Sequence, residues 1–417
     1  MDSLKNMLGG ATAVKSCMSA ANAGMIDRCL HILRSGDPRN ASLKVRAAEC
    51  LCIMMQHPQV RDRELKRGSV GAITSELLVL LQSNVGGSGR AAAAALAGLC
   101  ASDQGRTIAA ALSGKQLAEA APRLLLAADV QDPVASTNAA TVVAQLLHRG
   151  GAPAALNAAR NGGLVKACAL LSRNLPTQAH IAAIDLIVMM CNALGSGGGQ
   201  LSADEMQALQ SIVKFGLHRS WEQGDNGRPI FARAAAACAV LSVDPRRGRV
   251  ISGATPLLLA ALRHPVIISS HQQQQQVVGG WNPRKVMLDI LLCVGRLCQD
   301  DEAALLAVGN GALPALFGLL GHTEQNVVGF ALQALHALST PGRRSRSAVI
   351  ATGVDGVLRL TTLLKSPILP AQSMTAVINV LRNLAGVGLQ SDPESGASVL
   401  ASTYLFCFLF CLLTLFS

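Results

Sequence analysis

Gly311-Ala312-Leu313-Pro314-Ala315-Leu316-Phe317-Gly318-Leu319-Leu320 is the stretch on which the reading of this 417-residue chain turns. After a short polar turn come Val328, Ala331, Leu332, Leu335 and Leu338. Their offsets trace one face of a helix. The phrase then recurs. Gly356-Val357-Leu358 leads through Leu360, Leu363 and Leu364 to Met374, Val377, Ile378, Leu381 and Leu384, with the same offsets. Earlier copies open at Gly24, Gly71, Gly163 and Gly253, and weaker ones near Gln116 and Glu205.

The second long helix of each copy sets a register. Aligned on one column, these helices carry Cys52, Gly98, Gln145, Asn192, Val240, Arg296, Ala337 and Asn383, at intervals of 46, 47, 47, 48, 56, 41 and 46 residues. A period in the forties built from helices alone is that of a helical solenoid. Gly supplies the stop between helices, and Pro in a first turn loses no helical hydrogen bond.

The Gly-Ala-Leu-Pro-x-Leu phrase at 311–316 resembles the opening of an armadillo repeat. Gln145-Leu146 and Arg382-Asn383-Leu384-Ala385 resemble that family's closing Asn-Leu-Ala phrase. The resemblance covers roughly residues 24–390. It implies an all-α, right-handed α-solenoid of about eight armadillo-like repeats. It also implies that the column faces a concave groove, where Asn side chains bind the backbone of an extended peptide. The groove candidates are therefore Gln145, Asn192, Arg296 and Asn383, with His336 beside the column. Cys52, Gly98, Val240 and Ala337 carry no such amide, and the tryptophans that accompany the Asn in nuclear-import receptors are absent.

Composition agrees with stacked helices. Half the chain is hydrophobic, yet 3% is aromatic and 15% charged, against roughly 25% charged in an ordinary domain. Small Ala and Gly let helices approach closely, and Leu fills the seams. The hydrophobicity excludes a charge-driven disordered chain. A multi-span membrane protein is excluded too, because one terminal stretch alone approaches spanning length. Three segments follow: residues 1–23 as an N-terminal cap, 24–390 as the repeat region, and 391–417 as a linker and hydrophobic tail. The 56-residue interval holds His271 and Gln272 to Gln276, so 267–283 is expected to be a disordered polyglutamine loop.

Enzyme signatures are missing. Gly87-Ser88-Gly89-Arg90-Ala91-Ala92 fits a loose dinucleotide pattern, but no strand precedes it and no acid follows at the required distance. There is no nucleophile elbow, P-loop or zincin motif. The 12 Cys form no C-x-x-C, so no metal site is expected, and thiols in Ala/Leu-rich segments pack as small hydrophobes in a reducing compartment. The expectation is no catalysis and no cofactor.

The net charge is +11, and 27 of the 36 basic residues are Arg. Arg61, Arg63, Lys66 and Arg67 form one cluster, Arg246, Arg247 and Arg249 a second, Arg343, Arg344 and Arg346 a third. All fall between copies, where solvated turns are expected. If they align they make a ridge for an acidic peptide, an anionic membrane or nucleic acid. No aromatics interleave them, which argues against nucleic acid.

After Glu394 come 23 residues without a charge, and five of the 11 aromatics lie in the last 14. Three readings of 397–417 stand: a membrane anchor, a capping helix, or an artefact of the gene model. The sequence as a whole points to a cytoplasmic, non-enzymatic scaffold that binds a protein or extended peptide, attached to a membrane if the tail is an anchor. The alternative is a basic adaptor for nucleic acid or anionic membranes.

Overall fold

The computed structural model describes residues 13–35, 41–83, 91–92, 95–96, 133–195, 200–264, 267, 281–339, 353–365 and 370–388. Most of the 267–283 loop, the Arg343–Arg346 cluster and the 391–417 tail lie outside the described residues. Among the described residues every regular element is helical and there is no β-strand. The chain divides into two compact units, Met1–Gly216 and Leu217–Ser417.

Unit 1 holds α1 (Ala13–Asn22), α2 (Met25–Arg34), α3 (Ala41–Gln56), α4 (Pro58–Arg67), α5 (Val70–Ser83), α6 (Pro133–Arg160), α7 (Gly163–Ser172), α8 (Thr177–Leu194) and α9 (Ala203–Ser211). α6 is two helices joined at a kink: Gly151 adopts φ 65° and Pro153 follows. Ser202 and Glu205 form a reciprocal capping box that starts α9. A π-helical segment, Ile212–Arg219, contains the boundary between the units.

Unit 2 holds α10 (Arg228–Leu241), α11 (Pro245–Ile251), α12 (Thr255–Leu262), α13 (Pro283–Leu297), α14 (Asp301–Gly309), α15 (Ala312–Leu319), α16 (Gln325–Ser339), α17 (Gly353–Leu364) and α18 (Ala371–Gly388). The period is now explicit. Each complete repeat is a short helix, a middle helix and a long helix, as in α11, α12, α13 and again in α14, α15, α16. Pro245 and Pro283 open α11 and α13 where a missing N–H costs nothing. Asp244, Asn282 and Asp300 cap α11, α13 and α14 with side-chain oxygens that accept backbone N–H bonds.

The short opening helix corrects the sequence reading. Arg61–Arg67 and Arg246–Arg249 were expected in turns between copies, but they form α4 and most of α11. Arg61 and Arg247 are buried. Pro58 and Pro245, which start these helices, were the available signal.

Phrase glycines do two jobs. Gly24, Gly162 and Gly311 precede α2, α7 and α15 in the left-handed conformation, at φ 78°, 80° and 75°. The glycines at 163 and 356 lie inside helices and permit close approach instead. A Cβ on Gly163 would stand 2.6 Å from the Ala158 carbonyl oxygen, and one on Gly356 would stand 2.6 Å from the Phe317 ring.

The core is aliphatic and small-residue rich. Ala234, Ala235, Ala237, Cys238 and Ala239 of α10 are all buried. The nine described cysteines form no disulfide, and eight of them are buried. Burial pushes the Cys29 thiol up to about 12, with Cys50 adding to the shift, and burial likewise raises Cys293 to about 12. α8 is long and apolar enough to cross a bilayer, but half of that span is buried, packed with α6 and α7.

The left-handed turn is testable at Gly162, where a Cβ would meet nothing within 4 Å. Any cost of Gly162→Ala is therefore conformational, about 1–2 kcal/mol. Gly162→Asn should recover part of it, since Asn tolerates this conformation. Urea denaturation midpoints of the three proteins check the order Gly, Asn, Ala.

Candidate functional site: a groove across the long helices of unit 2

The long helices of successive repeats lie side by side: α10 against α13, α13 against α16, α16 against α18. Small residues set the spacing. A Cβ built on Gly295 of α13 would lie 3.6 Å from the Cα of Ala334 in α16, and one on Gly329 would lie 3.9 Å from Ser373 Oγ in α18. The backbones come close because no large side chain stands between them.

The exposed faces of α13, α16 and α18 form a groove of about 850 Å³. Five carboxamides line it: Gln299, Gln325, Asn326, Gln333 and Asn379. Arg296 and His336 line it too, with Phe330 as its aromatic surface. Among the described residues no carboxylate does so. Each carboxamide offers two N–H donors and one carbonyl acceptor. The groove is thus a set of neutral donors and acceptors over a floor containing Gly295 and Gly329.

Two of the five groove candidates, Arg296 and His336, meet in this groove. Arg296 also has a structural bond, because its Nη1 donates to the Ala239 carbonyl in the last turn of α10. That carbonyl also accepts from the Ser242 hydroxyl at 3.0 Å, so the guanidinium is its second donor.

Asn383 departs from the expectation. It is 4% exposed, and its Nδ2 donates to Ser339 Oγ at 3.4 Å. Asn379, one turn earlier, reaches the groove instead. The groove face of α16 and α18 repeats at the column's interval of 46, as in Phe330 and Ala376 or Gln333 and Asn379. Asn383 shares that register but is covered by its contact with Ser339 of α16. Asn192 is exposed near the end of α8 in unit 1, and Gln145 lies in α6 with its side chain outside the described set.

The sequence reading missed Gln299, Gln325, Asn326, Gln333 and Asn379. A signal was present: Asn326, Phe330, Gln333 and Ala337 recur at helical spacing on the face opposite the traced leucines.

The two described arginine clusters meet carboxylates. Arg246 Nη2 lies 2.7 Å from Asp244 Oδ2, and Arg249 Nε 3.0 Å from Asp300 Oδ2. Arg67 bonds Asp27 at 2.8 Å, and Arg63 lies 3.1 Å from the buried Glu64. The Arg246 hydrogen bond holds the Asp244 carboxyl below the usual carboxylate range, against the opposing effect of burial. At Asp300 burial pushes upward, but the Arg249 bond and the capping N–H groups of Ala303 and Glu302 outweigh it.

The repeat geometry defines the class: the chain has an all-α, armadillo-like helical repeat fold. No protein-family model and no curated protein matches the sequence. Among solved structures, an engineered protein aligns with 97% of this chain and 93% of its own, at a TM-score of 0.60 and 18% identity. A designed armadillo repeat protein in complex with the peptide (KR)4 aligns with 63% of this chain and 98% of its own, at 0.48 and 14% identity. A second designed armadillo repeat protein aligns at 0.47 and 15% identity, over 63% of this chain and 99% of its own. The likeness to the engineered protein is one of fold.

Because Asp244 has a lowered folded pKa, its stabilisation is complete above the unfolded carboxylate value. It is lost as pH falls through the folded one. Asp244→Asn keeps an oxygen to cap α11 but removes the charge. The variant should melt lower than the parent at pH 6, and the gap should close as pH approaches 2.5. Melting curves across that range measure it.

Proposed function

We propose that this protein is a non-enzymatic interaction scaffold whose unit 2 groove holds an extended segment of a partner protein. The observation that carries this reading is the set of five carboxamides lining the groove: Gln299 just past α13, Gln325, Asn326 and Gln333 on α16, and Asn379 on α18. Carboxamides can satisfy both the N–H and the C=O of a peptide backbone, which a strand leaves unpaired when bound alone. Helix axes packed 8–10 Å apart make three helices span roughly 20 Å, about six residues of extended chain at ~3.3 Å each.

Charge selects among peptides. Arg296 lines the groove and no described carboxylate does, so neutral or acidic segments fit and Lys/Arg-rich ones meet no counter-charge. The alternative of a basic adaptor for nucleic acid or anionic membranes is less well supported. The described arginines at 63, 67, 246 and 249 each stand beside a carboxylate, which offsets their charge even where, as at Arg67 and Arg249, the side chain is exposed. We place the scaffold in the cytoplasm, since the free, packed thiols fit a reducing compartment.

The test uses two labelled octapeptides, (Glu-Ser)4 and (Lys-Arg)4, titrated against the full chain by fluorescence anisotropy. The acidic peptide should bind and the basic one should not. Replacing both Gln333 and Asn379 by Ala should weaken binding roughly thirtyfold, at about 1 kcal/mol per lost hydrogen bond. Unchanged affinity in the double variant, or preference for the basic peptide, would remove the groove as the site.

A further inference from the structure

The chain has two tryptophans in 417 residues, and both line one small cavity elsewhere in unit 2. The cavity measures about 160 Å³. Trp221, Phe231 and His264 form one wall. The Trp221 and Phe231 ring centroids lie 4.8 Å apart at 46°, and Trp221 meets His264 edge-on at 5.2 Å and 82°. Trp281 contributes a further wall, with the Arg228 guanidinium 5.8 Å above its ring.

The cavity is built by specific backbone. Gly227 closes the turn that follows Trp221, and a Cβ there would stand 1.8 Å from the Ser220 carbonyl oxygen, so no other residue fits. Gly224 of the same turn adopts φ 59°. Asp225, in that turn, holds Arg228 at 2.6 Å. In a chain with 3% aromatics, two indoles, a phenyl and an imidazole on one cavity are out of proportion to its packing needs.

The chemistry of the walls selects the occupant. A guanidinium already covers the Trp281 face, so a second cation would be repelled. Among the described lining residues none is a carboxylate, and the Ser220 hydroxyl donates to the Leu217 carbonyl. Arg228 carries five N–H donors, which its pairing with Asp225 does not exhaust. The site therefore wants a compact apolar ring flanked by acceptors and free of donors. Proline meets this description. It has no N–H, its ring presents C–H groups to aromatic faces, and a proline-rich segment is already ordered before binding.

We propose that the Trp221–Trp281 cavity docks a proline side chain of an extended, proline-rich partner segment. This site is separate from the carboxamide groove and stands or falls independently of it.

Both tryptophans of the chain lie at the site, so the intrinsic emission reports occupancy directly. Acetyl-capped hexaproline amide, titrated into the full chain, should change that emission saturably. A capped (Gly-Ser)3 peptide should not. Trp281→Ala, read through Trp221, should weaken binding about tenfold or more, as truncation of a buried aromatic anchor does. Trp281→Phe keeps a ring and should bind nearly as the parent, and far-UV circular dichroism checks that both variants fold. Hexaproline without effect, an equal response to (Gly-Ser)3, or parental affinity in Trp281→Ala overturns the proposal. So does a saturable response to tetramethylammonium with none to hexaproline, which would make the cavity a cation cage.

Discussion

No three-helix repeat in this chain can close its own core, and that constraint organises the rest. A short, a middle and a long helix leave one flank of each repeat apolar, and only the next repeat covers it. Covering it well demands small residues where long helices touch. Gly295 against Ala334 shows the consequence: the space for a side chain at 295 is bounded at 3.6 Å by the neighbouring backbone. The abundance of Ala, Gly and Cys and the scarcity of aromatics are what this stacking asks for, and the buried thiols are part of the same small-residue packing.

Arginine ties the stack from outside the seam. Arg34 reaches Glu76, Arg67 reaches Asp27, Arg249 reaches Asp300, and Arg284 reaches Glu324, partners 40 to 51 residues away. Other arginines bind backbone. Arg263 donates to the Asn310 and Gly311 carbonyls beside the left-handed turn, and Arg359 donates to Phe317 at the end of α15. Each contact spans about one repeat. Exposed pairs contribute little individually. A guanidinium that bonds the backbone carbonyls at a neighbouring helix end does more, because it adds a charged donor to acceptors that hold two lone pairs. A planar fork with five donors suits this task, and lysine does not. The excess of Arg over Lys thus has a structural cause that requires no polyanionic ligand.

How far the sequence was legible follows from these two facts. Periodic leucines and the recurring Gly phrase made the repeat and its helical class readable, because they record the apolar flank that stacking buries. The short opening helix was hidden, since α11 is seven residues long and its Arg-rich surface reads as a turn. The groove was half legible. Arg296 came from the column and His336 from beside it, but Asn383 is buried against Ser339 while Asn379, one turn earlier, reaches the groove. A recurring column marks equivalent positions along the repeats, not which of them a neighbouring helix covers. The aromatic cavity left a weaker trace: two tryptophans 60 residues apart carry no period. The turn at Gly224 and Gly227, which seats Trp221, carries no period either.

The use of charge in stacking also shapes what remains for recognition. Carboxylates such as Asp244, Asp300 and Glu64 are held by arginines of their own or the neighbouring repeat, which removes them from the pool that could meet a ligand. Arg296 lines the groove while its guanidinium caps Ala239, so even the groove's cation is held in place by the stack. The surface left over on the long helices is amide, hydroxyl and glycine. Amides discriminate weakly by charge and strongly by geometry, because each must find both donor and acceptor at hydrogen-bond distance. A groove of that kind recognises the path of a backbone before it recognises side chains. Specificity then has to come from side-chain anchors at defined distances along that path.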